Sequence, residues 1–275
     1  MHFLSGLKLM ASVVIISAVY GFFYGVMHEA PFRPSGDRYG CVAGQSPNGH
    51  TLVFVDRTDA YSASQVEAFR NEISRIEAAV KPGEMLTVAR IDGELPALID
   101  FRACSPEKGE IFGLAESLRR NEDWLEIQRD YEQKFERPIQ NLAAGMALNL
   151  TRPYSPIIQS LAGVMEQLGP QWSRVRQRKL TLISDLIENT RAFSQYDAGS
   201  NEKPFGQVRN EVPYIGGTAL DLHGAAVTVL YLTGLPHDSG SQGMDHQRFW
   251  RDLVAFYGGE VVDWIVVPAT DGISH

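Results

Sequence analysis

Thr51-Leu-Val-Phe-Val-Asp56-Arg-Thr58-Asp-Ala-Tyr-Ser62 is a short apolar run that stops at an acid and a cluster of hydroxyls. A run of this kind suits a fully buried parallel strand. Its acid and hydroxyls would then project from the carboxyl edge of a sheet, where open α/β folds place their ligands. Two other segments carry the same chemistry. Lys179-Leu-Thr-Leu-Ile-Ser-Asp185 is a second apolar run ending at an acid, and Ser155-Pro156 stands as a cap and first-turn pair before the apolar stretch Ile157 to Leu168. Asp56, Thr58, Ser155 and Asp185 offer carboxylate and hydroxyl oxygens without thiolate or imidazole. That donor set suits a hard divalent cation, Mg²⁺ first and then Mn²⁺ or Ca²⁺, with waters or an open position left for a partner's acid. Taken singly, Asp56 and Asp185 equally well cap the turns after them, and Ser155 is an ordinary helix cap. Their joint order, strand-Asp-x-Thr, helix-start Ser-Pro, strand-Asp, is what points to a site.

The elements that must position these residues can be read from periodicity. After the first strand, Ser64 can cap a helix in which Val66, Phe69, Ile73, Ile76 and Val80 recur at helical spacing until Lys81-Pro82-Gly83 ends it. Met85 to Ile91 reads as a strand, Asp92-Gly93 as a turn, and Ala97 to Phe101 as an antiparallel edge partner. Residues 110–149 form a helical insertion with a stripe of Trp124, Ile127, Tyr131, Phe135, Ile139 and Leu142, which Pro138 should kink or divide. Residues 186–224 are polar and glycine-rich, a long loop with short helical pieces over the rim. Val227 to Leu232 is a third buried strand, Asp245 to Tyr257 an amphipathic helix, and Val261 to Val267 a last strand. Alternating strands and helices predict an α/β, doubly wound, mainly parallel sheet with one antiparallel edge strand, occupying residues 50–275.

Ahead of that domain, residues 29–49 are dense in proline and glycine and read as a linker. From Leu9 to Met27 no side chain is charged, a run of roughly 28 Å as a helix, which matches the hydrocarbon thickness of a bilayer. The leading expectation for residues 1–28 is a single transmembrane anchor, with a cleaved signal segment as the competitor. His2 and Lys8 on one flank against His28, Glu29 and Arg33 on the other place the N-terminus in the cytoplasm and the domain outside, in the periplasm if the cell is Gram-negative. There Cys41 and Cys104 either form a disulfide that ties the linker to the domain or stay as two thiols. With 44% hydrophobic and 21% charged residues the 275-residue chain can bury a core, and its net charge of -8 argues against nucleic-acid binding. The one basic run, Arg174 to Lys179, reads as a solvated lead-in to a strand.

At these residues the chain resembles the von Willebrand factor A-like family, whose metal-ion-dependent adhesion site opens with Asp-x-Ser-x-Ser after the first strand. Asp56-Arg57-Thr58-Asp59-Ala60 matches with Thr58 in the first hydroxyl place. Ser155-Pro156-Ile157 is similar to the family's Thr-Pro-apolar helix start, and Leu182-Ile183-Ser184-Asp185 to its later strand ending in Asp, often Asp-Gly. The resemblance runs from about residue 50 to Val267 and implies adhesion-type protein binding through a cation, not catalysis. Two departures stand out. Ala60 lacks the second hydroxyl, which Ser62 would have to supply, and Leu186 stands where a glycine is expected after Asp185. A haloacid-dehalogenase-like phosphatase built on Asp56, Ser184 and Lys179 is the competing enzyme reading, but Thr58 replaces the second acid that chemistry wants. A serine hydrolase would need Ser184, His223 and Asp221 to meet. His237, Asp238, Asp245 and His246 look like metal ligands by type but read as a solvated hinge. A third class is a structural envelope protein whose metal site has decayed.

Overall fold

The computed structural model describes residues 36–93, 97–107, 121–146, 151–234 and 240–270, with the side chains of 121–124 and 146 excepted. Its centre is a six-stranded sheet in the order β3-β2-β1-β4-β5-β6. The strands are β1 (Gly49–Asp56), β2 (Met85–Ile91), β3 (Leu98–Cys104), β4 (Gln177–Ser184), β5 (Ala226–Thr233) and β6 (Glu260–Pro268). β1 pairs in parallel with β2 and β4, and β4, β5 and β6 continue in parallel. Only β3, the hairpin partner of β2, runs antiparallel. Every residue of β1 is buried, as its unbroken apolar run requires of a strand covered on both faces.

Helices cover the two faces. On one lies α1 (Ala63–Ala79), with Phe69, Ile73 and Ile76 against Val53, Val55, Ile183 and Leu230. Beside it run α2 (Asn121–Tyr131) and α3 (Arg137–Met146), which place Tyr131, Phe135, Ile139 and Ala143 in the same core. On the opposite face α4 (Ile157–Leu168), α5 (Pro170–Arg174), α6 (Phe205–Glu211), α7 (Pro213–Gly216) and α8 (Met244–Phe256) pack around Leu52, Phe54, Leu180, Leu182 and Val229. The short α6 and α7 are the helical pieces expected within residues 186–224.

Several expectations change in detail. The α1 cap is Ser62, not Ser64: Ser62 and Gln65 form a reciprocal capping box, and the Ser64 hydroxyl instead donates to the Pro268 carbonyl. The helix is interrupted just before Pro138, though the chain stays helical throughout. A π-helical stretch, Glu132–Glu136, joins α2 to α3, and the Arg137 N–H reaches the Glu132 carbonyl, so the wider turn absorbs the proline just after it. β3 extends to Cys104, beyond the expected Phe101. Of the insertion expected over 110–149, only 121–146 falls within the described residues. The expected membrane helix at residues 9–27 lies outside them, and among the described residues no helix is long and apolar enough to cross a membrane.

Cys41 and Cys104 are bridged, resolving the two readings left open above. Cys104 pairs with Met85 at the amino end of β2, so the bridge fastens the linker to the amino edge of the sheet, far from Asp56. The bond closes a sequence separation of 63 residues. In the chain-entropy model such a loop is worth about 4 kcal/mol. Replacing both cysteines by serine should therefore lower the thermal midpoint by roughly 5–15 °C in a circular-dichroism melt. An unchanged midpoint would mean that the linker adds nothing to the fold.

Candidate functional site

The strand order places β2 on one side of β1 and β4 on the other, so the chain reverses its direction of winding at the β1/β4 crevice, a topological switch point. Val55 is in register with Ile183, which sets Asp56 and Ser184 side by side at the carboxyl end. Asp56 collects donors from three elements. Its Oδ1 accepts from the Thr58 backbone N–H at 3.0 Å and the Thr58 hydroxyl at 2.7 Å. Its Oδ2 accepts from Ser155 at 3.0 Å and Ser184 at 2.8 Å. Asp185 follows, with Oδ1 accepting from the Ile187 N–H at 2.9 Å and lying 3.3 Å from the Ser184 hydroxyl. The cluster is nearly inaccessible, from 1% exposure at Thr58 to 5% at Ser155. Burial pushes the Asp56 carboxyl up from its ordinary range, with the Thr58 and Ser184 hydrogen bonds pulling the other way. Burial, followed by the nearby charges of Asp56 and Asp185, raises the Tyr61 phenol as well.

Asp56, Thr58, Ser155 and Asp185 are thus brought to one edge, and Ser62 is not. The Ser62 hydroxyl accepts from the Gln65 N–H and sits 2.9 Å from that of Ser64. It is committed to the α1 cap, so it does not replace the hydroxyl absent at Ala60. Ser184, which the adhesion-site reading left out, supplies the cluster's third hydroxyl. Aligning Leu52-Val-Phe-Val55 with Leu180-Thr-Leu-Ile183 as paired strands would have found it.

Ser155 also departs from its expected role. Pro156 occupies the α4 cap position without a side-chain bond, which frees the Ser155 hydroxyl for Asp56. The α4 N-terminus is served by Glu188, whose Oε2 accepts from the Ile158 N–H at 3.0 Å and whose Oε1 accepts from Tyr214 at 2.9 Å. Backbone bonds in both directions between Ser155 and Asn189 fix the two loops together. Gly93 completes this packing: at φ +77° it lets the β2–β3 turn approach Arg152, where a Cβ would meet the Arg152 Cβ at 2.8 Å.

Leu186 takes the backbone conformation that a glycine would, at φ +60°. For a leucine this costs about 1 kcal/mol or more, and burial of its side chain in the α4/α8 core offsets it. The expected Asp-Gly geometry is thereby kept without the glycine.

The competing constellations do not assemble. Lys179 is exposed at the amino part of β4, about 17 Å along the strand from Ser184. Asp221 and His223 pair with each other at 3.3 Å on the surface before β5, at the edge opposite Ser184. Asp245 pairs with Arg248 on the surface. His246 is buried, so it is not part of a solvated hinge, and burial lowers it to about 4. His237 and Asp238 lie outside the described residues. Among those described, no group of three or more His, Cys, Asp or Glu is arranged to hold a metal, so any cation here would depend on hydroxyl oxygens as well.

No family model matches the chain. No curated protein matches it either. Among solved structures, the conserved hypothetical protein BatB of Bacteroides thetaiotaomicron is similar at 10% identity and a TM-score of 0.37, over 80% of this chain and 91% of that one. An aerotolerance-related membrane protein of Bacteroides fragilis is similar at 13% identity and a TM-score of 0.36, over 79% of this chain and 90% of that one. Neither likeness says what this chain does.

Glu188 gives the site a pH signature. Burial lifts its carboxyl from 4.5 to about 8, so the folded chain holds a proton that the unfolded chain releases. The resulting stabilisation is complete below about pH 4.5 and is lost as pH rises towards 8. The buried histidines His50 and His246, lowered to about 3 and about 4, add stability as pH rises and oppose this, so the expectation is a difference: thermal midpoints measured in chelator from pH 5 to 8 should fall more, or rise less, in the wild type than in Glu188→Gln. Parallel slopes would remove Glu188 as the source.

Proposed function

We propose that this chain is a membrane-anchored, extracytoplasmic protein-binding module of the von Willebrand factor A-like kind. It would hold a divalent cation, Mg²⁺ or else Mn²⁺ or Ca²⁺, at the carboxyl edge of its sheet. The observation that carries the reading is the Asp56 cluster: a buried carboxylate at the switch point, gathering hydroxyls from Thr58, Ser155 and Ser184, with Asp185 beside it. Desolvation of the Asp56 carboxylate favours either its protonation or a metal ion beside it. The hydroxyl oxygens, each keeping lone pairs while its proton points at Asp56, can face that ion together with the Asp185 carboxyl.

The role is binding rather than turnover. A cation held mainly by neutral hydroxyls keeps Lewis acidity for an acidic side chain supplied by a partner protein. The bridge between Cys41 and Cys104 holds the linker at the amino edge of the sheet, the edge opposite the site. Burial of the cluster means that the rim must open for the partner's acid to enter.

Calorimetric titration of the full chain in detergent with Mg²⁺ and Mn²⁺ tests the reading. Saturable heat is expected from the wild type, with affinity weakened at least tenfold in Asp56→Ala. Equal heats from the two proteins would remove the cation from the account.

A further inference from the structure

The turn after β4 is fastened from outside the cluster. Leu186 is fully buried with a left-handed backbone, and hydrogen bonds reach both its N–H and the carbonyls of Asp185 and Leu186. The Leu186 N–H donates to the Ser184 hydroxyl at 2.7 Å. The Asp185 carbonyl accepts from the Gln242 side-chain amide at 3.0 Å, and the same nitrogen donates to the Leu232 carbonyl at 2.7 Å. The Leu186 carbonyl lies 3.0 Å from His246 Nε2. A carbonyl only accepts, so Nε2 carries the proton, and Nδ1 accepts from the Tyr231 hydroxyl at 2.7 Å. Trp250 Nε1, 3.3 Å from the protonated Nε2, is left as a weak contact. Gln242 and His246 come from the segment between β5 and α8 and from the first turns of α8, and neither touches Asp56, Thr58 or Ser155.

A leucine has a strong preference against φ +60°, so these bonds act together with the burial of its side chain, and losing them shifts the peptide after Asp185 towards the right-handed region. That rotation would swing the Ile187 N–H away from Asp185 Oδ1 and the Leu186 N–H away from Ser184 Oγ, removing the bond that holds Asp185 Oδ1 beside Ser184 and the bond that orients the Ser184 hydroxyl towards Asp56. We propose that His246, assisted by Gln242, is a positioning residue for the cation site, holding the Asp185–Leu186 turn so that α8 sets the site's affinity. The inference rests on reading the Asp56 cluster as a cation site.

Glycine supplies the discriminating experiment, since it adopts φ +60° without help. Mn²⁺ alone, titrated into the full chain in detergent, is the probe, read by the loss of free-ion paramagnetic resonance signal. His246→Phe should weaken Mn²⁺ binding about tenfold, the lower end of what outer-shell substitutions cost. Adding Leu186→Gly to His246→Phe should restore part of that loss, so that in the Leu186→Gly background the same His246→Phe change costs much less than tenfold. A His246→Phe affinity equal to wild type, or a loss that glycine does not repair, overturns the proposal. If His246→Phe loses its near-ultraviolet circular dichroism, Gln242→Ala, at a half-buried position, takes its place with the same expectation and the same rescue. Absence of Mn²⁺ binding by the wild type would instead defeat the cation reading itself, and the positioning role with it.

Discussion

The carboxylate of Asp56 ties together parts of the chain that share nothing else. Four donor contacts reach it from the loop after β1, the start of α4 and the end of β4. Each segment would otherwise leave a buried hydroxyl or N–H to be satisfied locally, at a cost comparable to a lost hydrogen bond. The acid in turn is buried against its own preference for water, which is why its carboxyl is pushed up. The fold thus carries a charge-poor, oxygen-rich point at the one place where its winding opens a crevice. A requirement of function rather than of packing explains such an arrangement most simply, since an apolar edge would be easier to bury.

Around this point the structure shows a graded set of supports. Ser155 is held by its bridge to Asn189, and α4 behind it by Glu188, itself bonded to Tyr214. Asp185 is held by the left-handed turn at Leu186 and the bonds of Gln242 and His246. Thr58 has the least external help: its carbonyl accepts from the Arg152 N–H, but its side chain is fixed by Asp56 itself. The amino edge is organised differently, by a disulfide and apolar contacts of Tyr39 and Met85. One pole is covalently fastened to the linker and the other is built of hydrogen bonds, which can be rearranged at lower cost.

Much of this was legible in the chain because buried parallel strands write themselves as unbroken apolar runs. Leu52 to Val55, Leu180 to Ile183 and Val227 to Leu232 give three strands, and the acids and hydroxyls at their ends locate the edge. What the residues did not disclose has a physical reason in each case. Register was hidden, so the pairing of Asp56 with Ser184 went unseen although both were named. Competition for a hydroxyl was hidden: Ser62 looked like a ligand, but Ser62-x-x-Gln65 is a capping box, and a cap satisfies the helix first. Glu188 lay in a polar loop with no periodicity to mark it as buried. Leu186 reads as a departure only if side-chain identity fixes backbone conformation, whereas core burial and tertiary bonds hold the turn. Pro138 is the same lesson in a helix, where a π turn accommodates what local propensity forbids.

The proposed binding role stands or falls with a divalent cation at the oxygens around Asp56. Anomalous diffraction from crystals of the chain grown with Mn²⁺ addresses it directly. The account predicts a single strong peak at the β1/β4 crevice, about 2.1–2.3 Å from at least two of the Thr58, Ser155, Ser184 and Asp185 side-chain oxygens. Well-ordered Asp56, Ser155 and Ser184 still bonded to one another, with no peak at the crevice, would contradict it.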